Sequence, residues 1–343
     1  MFKIKDQYKI AVVGATGIVG ESLLDILHSR KFPSSEIIAI ASSRSEGVKV
    51  KFGDKLLDVV SIDNFDFNDI DIAFFSAGST VSKKFAPIAA NAGAVVIDNT
   101  SEFRNIDEIP LVVPEVNPDE IQNYSTNNII ANPNCSTIQM LVALKPIHDE
   151  FVIEELNIST YQAVSGSGKK GINELTDQSY SYLNQKEIET SIYPKQIAFN
   201  VIPFVDSFCD NDYTKEEMKM VWETQKILDK NIDVNATAVR VPVLIGHSES
   251  ITIRTKSKID LKKVISNYNS MESIELIDNP KSDDYPTPII HGHGTDKVYV
   301  GRIRKGLNSD NILNIWVVAD NVRKGAALNS IQIAEHLIRT NND

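Results

Sequence analysis

The sequence predicts an α/β chain of two domains, a doubly wound parallel sheet followed by an α+β domain. Three observations predict it. Short apolar strands alternate with amphipathic helical stretches up to residue 134, small residues stand at successive strand ends, and longer strands separated by polar helices follow residue 135.

The first strand, Tyr8–Val13, is a compact apolar run. It leads directly into Gly14-Ala15-Thr16-Gly17-Ile18-Val19-Gly20 and then into a helix whose apolar positions are Leu23, Leu24, Ile26 and Leu27. Three glycines at this spacing permit a tight turn, close approach of backbone to a pyrophosphate, and close packing of the helix, whose N-terminus faces the anion. Gly14, Thr16, Gly17, Ile18 and Val19 are therefore candidate dinucleotide contacts. The next strand, residues 36–41, ends in Ser42-Ser43-Arg44-Ser45. No carboxylate stands there for ribose hydroxyls, whereas Ser42, Ser45 and the Arg44 guanidinium suit a 2′-phosphate, which predicts NADP over NAD. Strands at 71–75 and 94–97 end in Ser76-Ala77-Gly78-Ser79 and Asp98-Asn99-Thr100-Ser101. Such small residues leave room for a cofactor, and Ser76 and Ala77 are read as lining it.

Cys135 lies in Ile129-Ile130-Ala131-Asn132-Pro133-Asn134-Cys135-Ser136-Thr137, where an apolar stretch, a proline turn and a helical pattern meet. A thiol at a helix N-terminus has its thiolate stabilised by backbone N–H groups and the dipole, so Cys135 is the candidate nucleophile. Beyond it, strands at 156–163, 237–244 and 250–255 imply a mixed sheet. So much apolar strand suggests a face buried against a second copy, hence a homodimer. Residues 324–339 form a further amphipathic helix expected to return to the first domain, and 278–288 reads as a loop. The domain boundaries expected are 1–134 with the C-terminal helix 322–343, and 135–321.

Polar groups in the second half suit acyl transfer. Gln162 ends a strand before the loop Ala163-Val164-Ser165-Gly166-Ser167-Gly168. Arg240 stands in an apolar strand and needs an anionic partner, and His247 is placed in a turn from which it reaches a site. Lys219 lies in a helix over 214–228.

These motifs resemble aspartate-semialdehyde dehydrogenase over almost the whole chain. The resemblance rests on the glycine turn at 14–20, on Asn132-Pro133-Asn134-Cys135-Ser136-Thr137, on Tyr161-Gln162-Ala163-Val164-Ser165-Gly166, on Glu216-Glu217-Met218-Lys219, and on Arg240-Val241-Pro242-Val243 leading to His247-Ser248-Glu249-Ser250. It implies a glyceraldehyde-3-phosphate-dehydrogenase-like architecture, with a Rossmann NADP-binding domain and an α+β catalytic and dimerisation domain. It also implies Cys135 as nucleophile, His247 as general acid/base and Gln162 as the residue orienting the acyl group. Arg240 and Glu217 would bind the substrate carboxylate and ammonium. Arg104, Lys219 and Asn134 would hold phosphate, and Ser165, Gly166 and Asn321 would contact the cofactor. The implied reaction reduces aspartyl phosphate to the semialdehyde with NADPH, in biosynthesis of lysine and diaminopimelate, threonine, methionine and isoleucine.

Composition bounds the remaining readings. The 343 residues are 42% hydrophobic and 24% charged, ordinary for a globular chain of about two domains. Only Cys135 and Cys209 are cysteines, which disfavours a disulfide framework and predicts a reducing compartment; Cys209 reads as structural. No signal-like start or membrane-length run is present, so a cytoplasmic protein is expected. A net charge of -11 disfavours nucleic-acid or anionic-membrane partners. His291-Gly292-His293 has no third ligand at suitable spacing, so no metal is expected. Lys169-Lys170 adds positive charge to the loop region after Gly168 and reads as solvated. Two alternatives are N-acetyl-γ-glutamyl-phosphate reductase, whose substrate has no ammonium group, and a non-catalytic NADP sensor, which has no use for Cys135, Gln162 and His247 together.

Overall fold

The structure is a computed structural model describing residues 2–340; Met1 and the last three positions of the expected 322–343 segment lie outside the described residues. The chain divides into two compact units, residues 1–134 with 326–343, and residues 135–325.

The first unit holds a seven-stranded sheet built from β1 (Tyr8–Val13), β2 (Ser34–Ala41), β3 (Lys49–Phe52), β4 (Lys55–Ser61), β5 (Ile72–Phe75), β6 (Val95–Asp98) and β7 (Ile129–Ala131), in the order β3-β4-β2-β1-β5-β6-β7. All neighbours run parallel except β3 and β4. That hairpin was not expected from the sequence. Its strands are mostly exposed and mixed in polarity, so their apolar signal is weak, and the turn at Gly53 adopts φ +59°. The central strands are the opposite case: every residue of β5 and β6 is buried, as expected of parallel strands covered on both faces.

Helices α1 (Ile18–Ser29) and α2 (Ser79–Asn91) belong to this unit. Leu23, Leu24, Ile26 and Leu27 of α1 are buried in one apolar cluster with Tyr8, Ile10 and Val12 of β1. The C-terminal helix, α8 (Leu328–Thr340), adds Leu328, Ile331, Ile333 and Leu337 to the same cluster. Burying four such side chains contributes on the order of 1.5–3 kcal/mol each, and Arg30 at the end of α1 holds Glu335 of α8 through two hydrogen bonds of 2.7 Å. The helix itself begins at Leu328; Arg323–Ala327 forms a π-type turn ahead of it.

The second unit is built on a six-stranded sheet of β8 (Ile153–Gln162), β9 (Asp233–Arg240), β10 (His247–Thr255), β11 (Ile274–Leu276), β12 (Val298–Lys305) and β13 (Ile312–Ala319), ordered β11-β12-β13-β10-β8-β9. It is mixed, with β8–β9 and β11–β12 parallel and the remaining pairs antiparallel. Its helices are α3 (Cys135–Phe151), α4 (Gly168–Leu183), α5 (Lys215–Ile227), α6 (Leu261–Ser270) and the short α7 (Pro288–His291). Two strand ends differ from the sequence reading. β9 stops at Arg240 because Pro242 lacks the N–H a further ladder bond needs. β10 starts at His247, paired with Ala319, so this histidine stands on a strand and not in a turn.

One face of the sheet buries Leu156, Ile158, Ala236, Ile251, Ile253 and Leu313. The other presents Asn157, Ser159, Asn235, Thr237, Ser250 and Thr252 around a groove of about 460 Å³. Around the groove that face is polar, and farther along it Tyr161, 37% exposed, packs on Trp316 with ring centroids 5.4 Å apart.

Candidate functional site

The first unit carries the glycine turn. Gly14 sits at φ +92°, and a Cβ there would come within 2.8 Å of the Ser76 backbone; at Gly20 it would meet Gly14 O at 2.1 Å. Only glycine fits this cradle. α1 begins after Gly17 with no side-chain cap, so its first N–H groups are offered to an outside acceptor, as a pyrophosphate requires. Gly14, Thr16, Gly17, Ile18 and Val19 form this turn. Ser76, whose Oγ donates to Val13 O at 3.1 Å, and Ala77 follow β5, which neighbours β1 opposite β2. Ser42 and Ser45 bound a short 3-10 turn after β2, and Arg44 within it is exposed, with no ion-pair partner among the described residues. The residues fit a dinucleotide.

Also in this unit, Arg104 is buried and its Nη2 donates to Asn99 O at 2.8 Å. Asn134, buried, is the last residue before α3.

In the second unit Cys135 is the half-buried first residue of α3. A Cβ on Gly325 would lie 2.9 Å from Cys135 Cβ, so the backbone at Gly325 packs directly on the thiol residue. The other candidates gather around the dipeptide Gln162-Ala163 at the end of β8. Gln162 Nε2 donates to Ser136 Oγ at 3.0 Å and to Glu216 Oε1 at 2.8 Å, while its Oε1 is buried without a partner among the described residues. Ala163 N donates to His247 Nδ1 at 3.0 Å, and Ala163 O accepts from Arg240 Nη1 at 2.6 Å.

Because Nδ1 accepts that hydrogen bond, a neutral His247 carries its proton on Nε2, a buried atom with no partner among the described residues. Burial, then the nearby Arg240 charge, lowers its pKa to about 3, against an opposing pull from Glu216. The ring is neutral at physiological pH and offers a donor. Arg240 is 6% exposed, yet no carboxylate pairs with it among the described residues. A buried guanidinium in that state is poised for an anionic ligand. Ser165 Oγ and Gly166 lie on the same loop: Ser165 donates to Asn321 Oδ1 at 3.0 Å, and a Cβ on Gly166 would meet Arg240 Nη1 at 2.8 Å. Asn321 Oδ1 also accepts from Gly246 N at 2.9 Å, which leaves its Nδ2 as an available donor.

Glu217 requires a correction. Its Oε2 accepts from Thr214 N at 2.7 Å and its Oε1 from Ala238 N at 2.9 Å, and Thr214 Oγ1 accepts from Glu217 N, completing a capping box on α5. Both oxygens accept from backbone N–H groups, so Glu217 ties the start of α5 to β9. The carboxylate joined to the candidate site is Glu216, bonded to Gln162 and, through Oε2 at 3.1 Å, to Lys219. Lys219 also holds Asp206 at 2.8 Å. The sequence contained the signal: Thr214-x-x-Glu217 is a capping-box spacing, and Glu216 stands three residues before Lys219, one helical turn away. Ser136, which touches Gln162, also went unrecognised. Among the described residues no group of three or more His, Cys, Asp or Glu side chains could hold a metal.

Comparison with known proteins decides the family. The family model described as "Semialdehyde dehydrogenase, NAD binding domain" matches residues 9–124, and that described as "Semialdehyde dehydrogenase, dimerisation domain" matches 144–324. Aspartate-semialdehyde dehydrogenase of Shewanella violacea is 53% identical over 98% of this chain and 99% of its own length. The chain belongs to the aspartate-semialdehyde dehydrogenase family. Aspartate semialdehyde dehydrogenase II of Vibrio cholerae, solved in complex with ASA, superposes with TM-score 0.95 at 53% identity, covering 98% of this chain and 99% of that one. The Candida albicans member, solved with NADP, superposes with TM-score 0.73 at 27% identity, covering 96% and 98%. Family names at this similarity do not favour the N-acetyl-γ-glutamyl-phosphate reductase alternative.

Proposed function

We propose that the protein catalyses NADPH-dependent reductive dephosphorylation of L-4-aspartyl phosphate to L-aspartate 4-semialdehyde, through a thioester on Cys135. The observation that carries this reading is the buried Arg240, with no carboxylate on it among the described residues, beside Gln162 and the Glu216–Lys219 pair. A guanidinium for a carboxylate, an acid for an ammonium and a lysine for phosphate together match an aminoacyl phosphate. An N-acetylated substrate has no ammonium group to offer Glu216.

Cys135 attacks the acyl carbon as the thiolate, forming the C–S bond as phosphate departs with the C–O electron pair. Lys219, Arg104 and Asn134 are assigned to the phosphate, where charge builds. Gln162 orients the acyl group. Bound NADPH supplies the hydride that reduces the thioester carbon. Collapse of the resulting oxyanion expels the Cys135 thiolate and releases the aldehyde, and the proton consumed overall ends on phosphate. With its proton on Nε2, His247 stabilises developing negative charge as a hydrogen-bond donor; taking a proton at Nε2 needs the tautomer that Ala163 N–H disfavours. Thus His247, assigned as a general acid/base from sequence, is given the narrower part of electrostatic donor. Asn321 Nδ2, Ser165 and Gly166 are assigned to the nicotinamide end, and the turn residues at 14–19 to the pyrophosphate. Ser42, Arg44 and Ser45 are assigned to the 2′-phosphate. Working as a homodimer and acting in biosynthesis of lysine, threonine, methionine and isoleucine complete the reading, which places the enzyme in the cytoplasm.

Phosphate-dependent reduction of NADP with L-aspartate semialdehyde tests it, run beside N-acetylglutamate semialdehyde and Cys135→Ala. Activity with the first aldehyde alone, lost in the variant, is expected; preference for the acetylated aldehyde overturns the substrate assignment. Arg44→Ala is expected to raise KM for NADP about tenfold or more with little change for NAD, the scale of one lost charge-assisted contact. Equal weakening of both cofactors would remove Arg44 from 2′-phosphate recognition.

A further inference from the structure

Behind the candidate site lies a second buried polar group that the chemistry above does not use. Glu249 is fully buried in β10, two residues beyond His247 and on the same face of the strand. Neither carboxyl oxygen has a hydrogen-bond partner among the described residues. Thr160, directly opposite on β8, is equally buried, and its Oγ1 has no partner among the described residues. The third member is Gln139, also fully buried, one helical turn beyond Cys135 on α3. Its Nε2 donates to His247 O at 3.4 Å, and its Oε1 has no partner among the described residues. Gln139 thus connects the helix that begins with Cys135 to the strand that begins with His247.

We propose that Gln139 and Glu249 are a positioning pair that sets the placement of the Cys135 helix end against His247. The inference rests on the reading that Cys135 and His247 act together. Burial pushes the Glu249 carboxyl well above the usual carboxylate range, and the Gln139 amide facing it offsets only part of that. Glu249 is therefore a neutral acid whose O–H can donate to Gln139 Oε1, leaving Gln139 Nε2 for His247 O. An ionised Glu249 would compete as an acceptor for that N–H and set a negative charge behind the thiolate. The pair works because it is uncharged, and an amide at position 249 supplies the same donor.

Three variants and two readouts test this. Glu249→Gln keeps a neutral donor and is expected to hold kcat within about twofold. Glu249→Met and Gln139→Met keep shape without the hydrogen bonds; each is expected to lower kcat about 10- to 100-fold with KM changed less than about threefold, the scale of a small misplacement of reacting groups. The second readout is alkylation of Cys135 by iodoacetamide, followed on its own peptide by mass spectrometry, which needs no substrate. It is expected to slow in both Met variants and not in Glu249→Gln. The double variant Gln139→Met/Glu249→Met removes both buried polar partners and is expected to unfold at or above the wild-type temperature, so lost kcat with retained stability separates positioning from mere folding. The proposal is overturned if Glu249→Gln is as impaired as Glu249→Met, if the Met variants alkylate and turn over normally, or if kcat falls only in step with melting temperature. Should the wild-type protein reduce NADP with neither aldehyde, the functional reading fails while the alkylation rates still decide the pair.

Discussion

A single hydrogen bond defines what His247 can do. Ala163 N–H occupies Nδ1, burial and Arg240 oppose the charged ring, and the pKa falls to about 3 from 6.5. Between those two values the unfolded chain binds a proton that the folded chain does not. Stability from this residue is therefore fully present above about pH 6.5 and is lost as pH falls toward about 3, at up to about 1.4 kcal/mol per pH unit. Melting temperatures of the wild type and His247→Gln at pH 7.5 and 4.5 check this: the wild type is expected to lose more on acidification. An equal loss in both would mean that the histidine is already charged in the folded protein. The same neutrality limits its chemistry, since a ring that stays uncharged contributes no titration of its own to the activity between pH 5 and 8.

At the scale of an element, α5 assigns opposite jobs to adjacent acids. Helical geometry turns Glu217 back onto Thr214 at the N-cap and toward Ala238 of β9, while Glu216, about 100° away around the axis, reaches Gln162 and Lys219. Glu217→Ala is expected to lower stability by about 1–3 kcal/mol through the lost cap and the Ala238 N–H left unsatisfied. Its kcat/KM should stay within a few-fold. Glu216→Ala is expected to do the reverse, lowering kcat/KM about a hundredfold, the scale of one hydrogen bond to a charged group, with a smaller change in melting temperature. If Glu217→Ala were the variant that lost activity in the folded protein, the assignment of the two carboxylates would be exchanged. The glycine turn shows the same dependence on local geometry: Gly20 is fixed because a Cβ would collide with the carbonyl of Gly14.

At the scale of the molecule, each unit has its own sheet and its own apolar cluster, and the chain enters the second unit at Cys135. Cys135, the candidate nucleophile, starts α3 at that point, so its surroundings are those of a helix N-terminus. The second unit matches a family domain described as a dimerisation domain, and the open face of its sheet is lined by Asn157, Ser159, Thr237, Ser250 and Thr252. An interface need not be apolar overall. Light scattering is expected to give twice 38.1 kDa; a monomer mass at working concentration would remove the homodimer from the reading.

The sequence by itself determined the glycine turn, the alternation of strands and helices, the thiol at a helix start and the set of residue types required. Each is local: periodicity, turn chemistry and short spacings leave marks within a few positions. What only the tertiary structure decided depends on residues far apart in the chain. It joined Glu216, and not Glu217, to Gln162, placed the His247 proton on Nε2 through Ala163, left Arg240 buried with no carboxylate on it among the described residues, and set Gln139 against the His247 carbonyl. A hydrogen bond across 84 residues, such as that from Ala163 to His247, is set by strand order and register, and neither is written in any one segment.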